Sequence, residues 1–132
     1  MIVVGVGVGP GMLTEEGIEA IKQASVVYGA KRAIELAQKY ITCEAKTIKD
    51  YKSFHLLPSD AVVLSTGDPM FSGLGKFAGE NDTVIPGISS MQVACARTKV
   101  NLTNLSAITA HGRDFEPAKA ELIQELKNGR NI

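Results

Sequence analysis

A chain of 132 residues has room for one ordinary domain, and 45% hydrophobic with 21% charged residues is the profile of a soluble globular protein. Fourteen basic side chains balance fourteen acidic ones, which removes the positive field that nucleic-acid binding needs, so any anionic ligand must be held locally. No apolar run approaches the roughly 20 residues of a membrane span and the apolar start lacks a basic leader, so a cytoplasmic location is expected. Cys43 and Cys95 stand isolated, outside any CxxC spacing, and read as buried thiols in a reduced compartment rather than a disulfide or metal site.

Ile2 to Val8 is apolar apart from its glycines and reads as a strand buried on both faces. Gly9-Pro10-Gly11 then turns the chain, Thr14 offers an N-cap hydroxyl, and Glu15 and Glu16 suit the positive end of a helix. Leu13 is spaced to staple against Ile18. Ser25 to Tyr28 reads as the second strand. Ala33, Leu36, Ala37 and Tyr40 recur at helical spacing and predict an amphipathic helix from Ala30 to Tyr40, with Glu35 and Lys39 placed for a surface pair. A short strand is expected over Ile41 to Ala45. Lys46 to Pro58 is polar and irregular, and His55 within it carries no assignable chemistry. Ala61 to Leu64 and Thr83 to Ile85 are further apolar strands. Met91, Ala94, Cys95 and Thr98 mark one face of a helix capped by Ser89 or Ser90. Leu105 to Ala110 reads as another strand, and Ala118, Leu122 and Leu126 give a last amphipathic helix between Pro117 and Gly129.

Strands alternating with helices predict an α/β fold with a mostly parallel, doubly wound sheet. Gly9-Pro10-Gly11, Ser65 to Pro69, Pro86 to Ser90 and His111-Gly112-Arg113 each leave the carboxyl end of an expected strand, the edge where such sheets bind ligands. A dinucleotide fits poorly: Gly5, Gly7 and Gly9 spell GxGxG without the third glycine of GxGxxG, and the second strand runs into Gly29 and Ala30 instead of an acid. A phosphate loop fails as well, since Gly75-Lys76 is followed by Phe77. Singly, each loop also fits a plain role: Asp68 before Pro69 as an N-cap, Ser89 and Ser90 as caps, Arg113 as a solvated charge.

GVGPG with Leu13-Thr14 just after it, STGDPMFSGLG, and PGISS before an alanine-containing helix together resemble the tetrapyrrole methylases. Val26 to Arg32 and Ala110 to Arg113 are similar to the VVGGKR and SHGR segments of the precorrin-6Y or cobalt-precorrin-7 C5-methyltransferase branch, with Tyr28 where a smaller residue is common. The resemblance implies S-adenosylmethionine as cofactor, held in a cleft mainly by backbone groups. The implied contacts are Pro10, Thr66, Gly67, Asp68, Phe71, Ser89 and Ser90. It also implies an N-terminal domain over residues 1–104, with residues 105–132 the opening strand and helix of a second α/β domain that is largely absent.

The implied activity is methylation of C5 of a precorrin or cobalt-precorrin in cobalamin biosynthesis, with a homodimer as the assembly and the C15 step left to a separate protein. Arg113 beside His111, and then Lys31 and Arg32, are candidates to meet the substrate's carboxylates. No residue is assigned as a general base, and no metal is implied. Two alternatives stay open: the same fold with another acceptor (a different precorrin carbon, RNA or a protein), and a non-catalytic fragment that binds cofactor or forms dimers.

Overall fold

The computed structural model describes residues 1–110 and 115–132. Its chain divides into two compact units, Met1–Ser90 and Met91–Ile132. In the first, strands β1 (Ile2–Gly5), β2 (Val26–Gly29), β3 (Glu44–Thr47), β4 (Val62–Ser65) and β5 (Thr83–Ile85) form one parallel sheet in the order β3-β2-β4-β1-β5. The apolar runs sit in the middle of it: all four residues of β4 and three of β1 are buried, as a strand covered on both faces requires. β3 is an edge and is exposed along its whole length, with Glu44 and Lys46 supplying the charge that discourages further pairing.

Topology explains why both faces are covered. Helices α1 (Glu15–Lys22) and α2 (Lys31–Ala37) carry the chain from β1 through β2 to β3, toward one edge. The connections β3 to β4 and β4 to β5 run toward the other edge, and crossovers of a single hand then fall on opposite faces. Alternation along the strands sorts the core accordingly. Val4, Val62 and Leu64 join Ile21, Ala33 and Ala37 under the helices. Val3 and Val63 point the other way, toward Phe54, Leu57 and Leu74. Among the described residues of this unit, that second face is covered by 3₁₀ turns over Tyr51–Leu56 and Leu74–Phe77. Their aromatic rings compensate in bulk, with Phe77 lying 5.7 Å from Phe54 and 6.5 Å from Tyr51 between centroids.

Several local expectations hold. The Thr14 hydroxyl accepts the Gly17 N–H at 3.0 Å and caps α1. β5 spans the expected residues, and β2 and β4 lie within one residue of theirs. Others shift for identifiable reasons. β1 ends at Gly5 rather than Val8, because Gly7 adopts φ +77° and leaves the parallel register. β3 starts at Glu44 rather than Ile41, since Gln38–Tyr40 forms a 3₁₀ turn that extends the helix end, closed by the Ile41 N–H donating to the Gln38 carbonyl at 3.3 Å. Glu35 pairs with Arg32 at 3.9 Å instead of Lys39, whose ammonium lies over the Tyr40 ring.

The second unit contains helix α3 (Ser90–Thr98), a 3₁₀ turn over Leu102–Asn104 and helix α4 (Phe115–Lys127). The strand expected over Leu105 to Ala110 is not formed. Only Leu105 pairs, through a single parallel bridge to Asn131. Among its described residues this unit offers no strand to take the remaining backbone groups, and the Leu105 carbonyl accepts instead from the Arg130 guanidinium at 2.8 Å. Cys95 is buried and Cys43 half-buried, both as free thiols. Among the described residues no helix is long and apolar enough to cross a membrane, and no cluster of His, Cys, Asp and Glu is placed to hold a metal.

Candidate functional site

The loops that leave β1, β4 and β5 meet at the carboxyl edge of the sheet, and they meet backbone to backbone. Gly7 and Gly67 exchange both hydrogen bonds of an antiparallel pair, N–H to carbonyl, at 3.2 and 2.8 Å. A side chain at Gly5 would come within 2.6 Å of the Gly87 nitrogen, and one at Gly87 would strike the Gly67 carbonyl oxygen. Glycine is required there by contact. Gly67 needs it by conformation, at φ +66°, and the Ser89 Cα lies just beyond its bare face. Close packing of three strand ends thus gathers their peptide groups at this edge.

Along this edge the expected contacts fall as follows. Gly67 and Ser89 are buried and adjoin each other, while Thr66, Pro10 and Ser90 are exposed at the rim. Asp68 is half-buried, and its carboxylate accepts the Met70 N–H at 2.7 Å. No helix starts at Pro69, so the helix-capping reading of Asp68 does not hold; the carboxylate closes a tight turn instead. Phe71 is half-buried, with its N–H donating to the Asp68 carbonyl at 3.1 Å. Lys31 and Arg32 are exposed in the first turn of α2, directly after β2. His111 and Arg113 lie outside the described residues.

Sequence reasoning missed the organising role of Ser65. It is buried, its hydroxyl oxygen accepts the Leu74 N–H at 3.2 Å, and a side chain at Gly73 would press on that oxygen at 2.8 Å. The STGDPMFSGLG segment is wound around it. Winding forces Ser72 to φ +54°, a left-handed conformation uncommon outside glycine and concentrated at functional sites. No signal in the sequence singles out Ser72. Beside this loop a cavity of about 250 Å³ opens, walled in part by Tyr51, Ser65, Thr66, Ser72, Lys76 and Phe77. Tyr51 comes from the stretch to which sequence reasoning assigned no chemistry.

A gathering of backbone amides and carbonyls at a parallel sheet's carboxyl edge, without a phosphate loop or a ribose-binding acid, suits a neutral nucleoside better than a dinucleotide. The sequence model of the Tetrapyrrole (Corrin/Porphyrin) Methylases matches residues 2–132. The chain belongs to this family. Among curated relatives, a probable cobalt-precorrin-7 C(5)-methyltransferase of Methanocaldococcus jannaschii is 35% identical, over 96% of this chain and 67% of the relative. A precorrin-6Y C(5,15)-methyltransferase [decarboxylating] of Mycobacterium tuberculosis is 30% identical, over 83% of this chain but 31% of its own length. Among solved structures, the precorrin-6Y methylase of Archaeoglobus fulgidus superposes with a TM-score of 0.75 at 34% identity, covering 86% of this chain and 65% of that one.

This methylase chain therefore spans about two thirds of the archaeal relatives it matches. Its alignment with the Methanocaldococcus protein runs over 144 residues, more than the 132 present here, so that relative carries internal segments this methylase lacks.

Proposed function

We propose that this chain carries the donor-binding part of an S-adenosylmethionine-dependent methyltransferase that methylates C5 of a precorrin or cobalt-precorrin in cobalamin biosynthesis. The observation that carries the reading is identity of 35% over nearly the whole chain to a relative named for that reaction. The sheet edge suits the donor: glycine at 67 and 87 lets the loops close on one another backbone to backbone, and Thr66, Asp68, Ser89 and Ser90 bring hydrogen-bonding groups to the same edge. When bound, the donor supplies a sulfonium methyl that is already electrophilic. What remains for the protein is alignment, which is worth up to roughly 7–11 kcal/mol in favourable systems. Backbone groups fixed by a sheet edge are suited to that task, and no general base is assigned. Pro10 and Phe71 complete the proposed donor contacts, and Arg113, His111, Lys31 and Arg32 are proposed to meet acceptor carboxylates.

Coverage of two thirds of the relative favours a second reading, in which residues 105–132 open a further domain and the isolated chain binds donor without turning over. The proposed assembly is a homodimer in the cytoplasm, and the C15 methylation falls to another protein.

Transfer of labelled methyl across a panel of precorrin and cobalt-precorrin intermediates, run with light scattering and titration of S-adenosylhomocysteine, tests both. Label at C5 of a late intermediate supports the first reading. Donor binding without transfer supports the second. Label on uroporphyrinogen alone would move the chain to another acceptor, and a response to NAD but to neither donor nor product would sink the methyltransferase reading altogether. A monomer that binds donor tightly would remove the dimer.

A further inference from the structure

The cavity beside the Ser65-centred loop is separate in character from the backbone groups gathered at the sheet edge. Its volume of about 250 Å³ falls below the roughly 300–1,000 Å³ of pockets that enclose a whole drug-sized ligand, so it admits an arm of a larger molecule. Its lining includes four hydroxyl-bearing residues, Tyr51, Ser65, Thr66 and Ser72, and Lys76 is its one charged wall residue. Among the described residues Lys76 makes no ion pair, and its ammonium is steadied over the Phe77 ring at 5.1 Å from the centroid. Phe77 in turn is fixed by Tyr51 and Phe54. An unpaired cation among hydroxyl donors recognises a carboxylate.

We propose that this recess is a carboxylate subsite, formed by Lys76 with the hydroxyls of Tyr51 and Ser72, that seats one acidic arm of the acceptor. The inference rests on the acceptor being a tetrapyrrole with carboxylate arms. A carboxylate also occurs in the amino-acid end of the donor. There it comes with an ammonium that Lys76 repels, so the acceptor is the better match. Ser72, held left-handed by the loop, lines the recess together with the stacked rings of Tyr51 and Phe77.

The test uses the full chain and the fluorescence anisotropy of uroporphyrin, a porphyrin with a carboxylate on every arm, against a porphyrin whose arms are mostly alkyl. Lys76→Gln is expected to weaken uroporphyrin binding by about three- to tenfold, the size of one solvent-accessible charge-assisted contact, with the gap closing as salt rises. Lys76→Arg should restore binding, the mostly alkyl porphyrin should respond less to either change, and S-adenosylhomocysteine affinity should stay within about twofold of wild type. Lys76 is exposed, so the variants are expected to fold, and circular dichroism checks this.

Equal uroporphyrin affinity in wild type and Lys76→Gln overturns the subsite while leaving the methyltransferase reading intact. A loss confined to S-adenosylhomocysteine reassigns the recess to the donor and overturns the proposal. Parallel losses for both ligands show that Lys76 acts by shaping the loop, which overturns it too. Failure of wild type to bind any carboxylated porphyrin removes the subsite together with the proposed acceptor.

Discussion

Gly87 has little freedom to change, because its missing Cβ would occupy the place of the Gly67 carbonyl and press within 2.8 Å of Gly5. Backbone cannot yield as a flexible side chain does. Gly87→Ala is expected to cost roughly 2–3 kcal/mol in urea unfolding, at the upper end for overpacking, and to weaken donor binding through displaced peptides. An alanine variant with an unchanged midpoint would show that the three loops are not in contact. Asp82 gives the molecule an acid-sensitive link. Its carboxylate accepts the Gly79 N–H at 2.7 Å and faces the Met1 ammonium at 3.1 Å, and these contacts hold its pKa below the ordinary 3.8. A depressed folded pKa adds stability that is present above the unfolded value and is lost as pH falls through the folded one. Urea midpoints for Asp82→Asn should therefore lie below wild type at neutral pH and converge with it in strong acid; a constant gap down the acid limb would contradict this. Asp68 was legible as an acid that bonds nearby backbone, though as a helix cap rather than in the tight turn it closes, whereas Ser65 and Lys76 were not legible. Their roles come from a loop wound back on itself, and no spacing rule encodes which buried hydroxyl ends up at its centre.

At the level of elements, what could be read in the sequence tracks burial. Val62–Ser65 is largely apolar and buried throughout, so its pattern and its central place in the sheet agree, while the edge strand Thr83–Ile85, buried only at Ile85, was legible from its β-branched residues and the turn that bounds it. β3 is polar and exposed throughout, and its existence depends on pairing with β2 rather than on its own composition. The expected strand at Leu105 shows the converse: an apolar run becomes a strand only where a neighbour offers a ladder, and here one bridge to Asn131 is all that is available. The connections over Tyr51–Leu56 and Leu74–Phe77 were hardest to anticipate. They are too short for the periodicity that reveals helices, and tertiary packing of Phe54 under the sheet holds the first in place.

For the whole molecule, the two faces of the sheet are protected unequally. Within the sheet unit, one lies under two α-helices and the other under 3₁₀ turns whose closing bonds are single i to i+3 links, such as the Leu57 N–H to the Phe54 carbonyl at 3.2 Å and the Ala78 N–H to the Gly75 carbonyl at 3.1 Å. The difference has a consequence in time rather than in space. Deuterium should enter the amides of Tyr51–Leu57 and Leu74–Ala78 by local opening, well before it reaches β4, whose exchange must await global unfolding. Equal protection of the turns and β4 would mean the wall and the sheet open as one. If the order holds, the recess beside Ser65 is bounded on one side by a part of the sheet unit that opens before the central strands, and the rate at which a bulky acidic arm enters or leaves would be governed by those excursions while the sheet edge itself stays fixed.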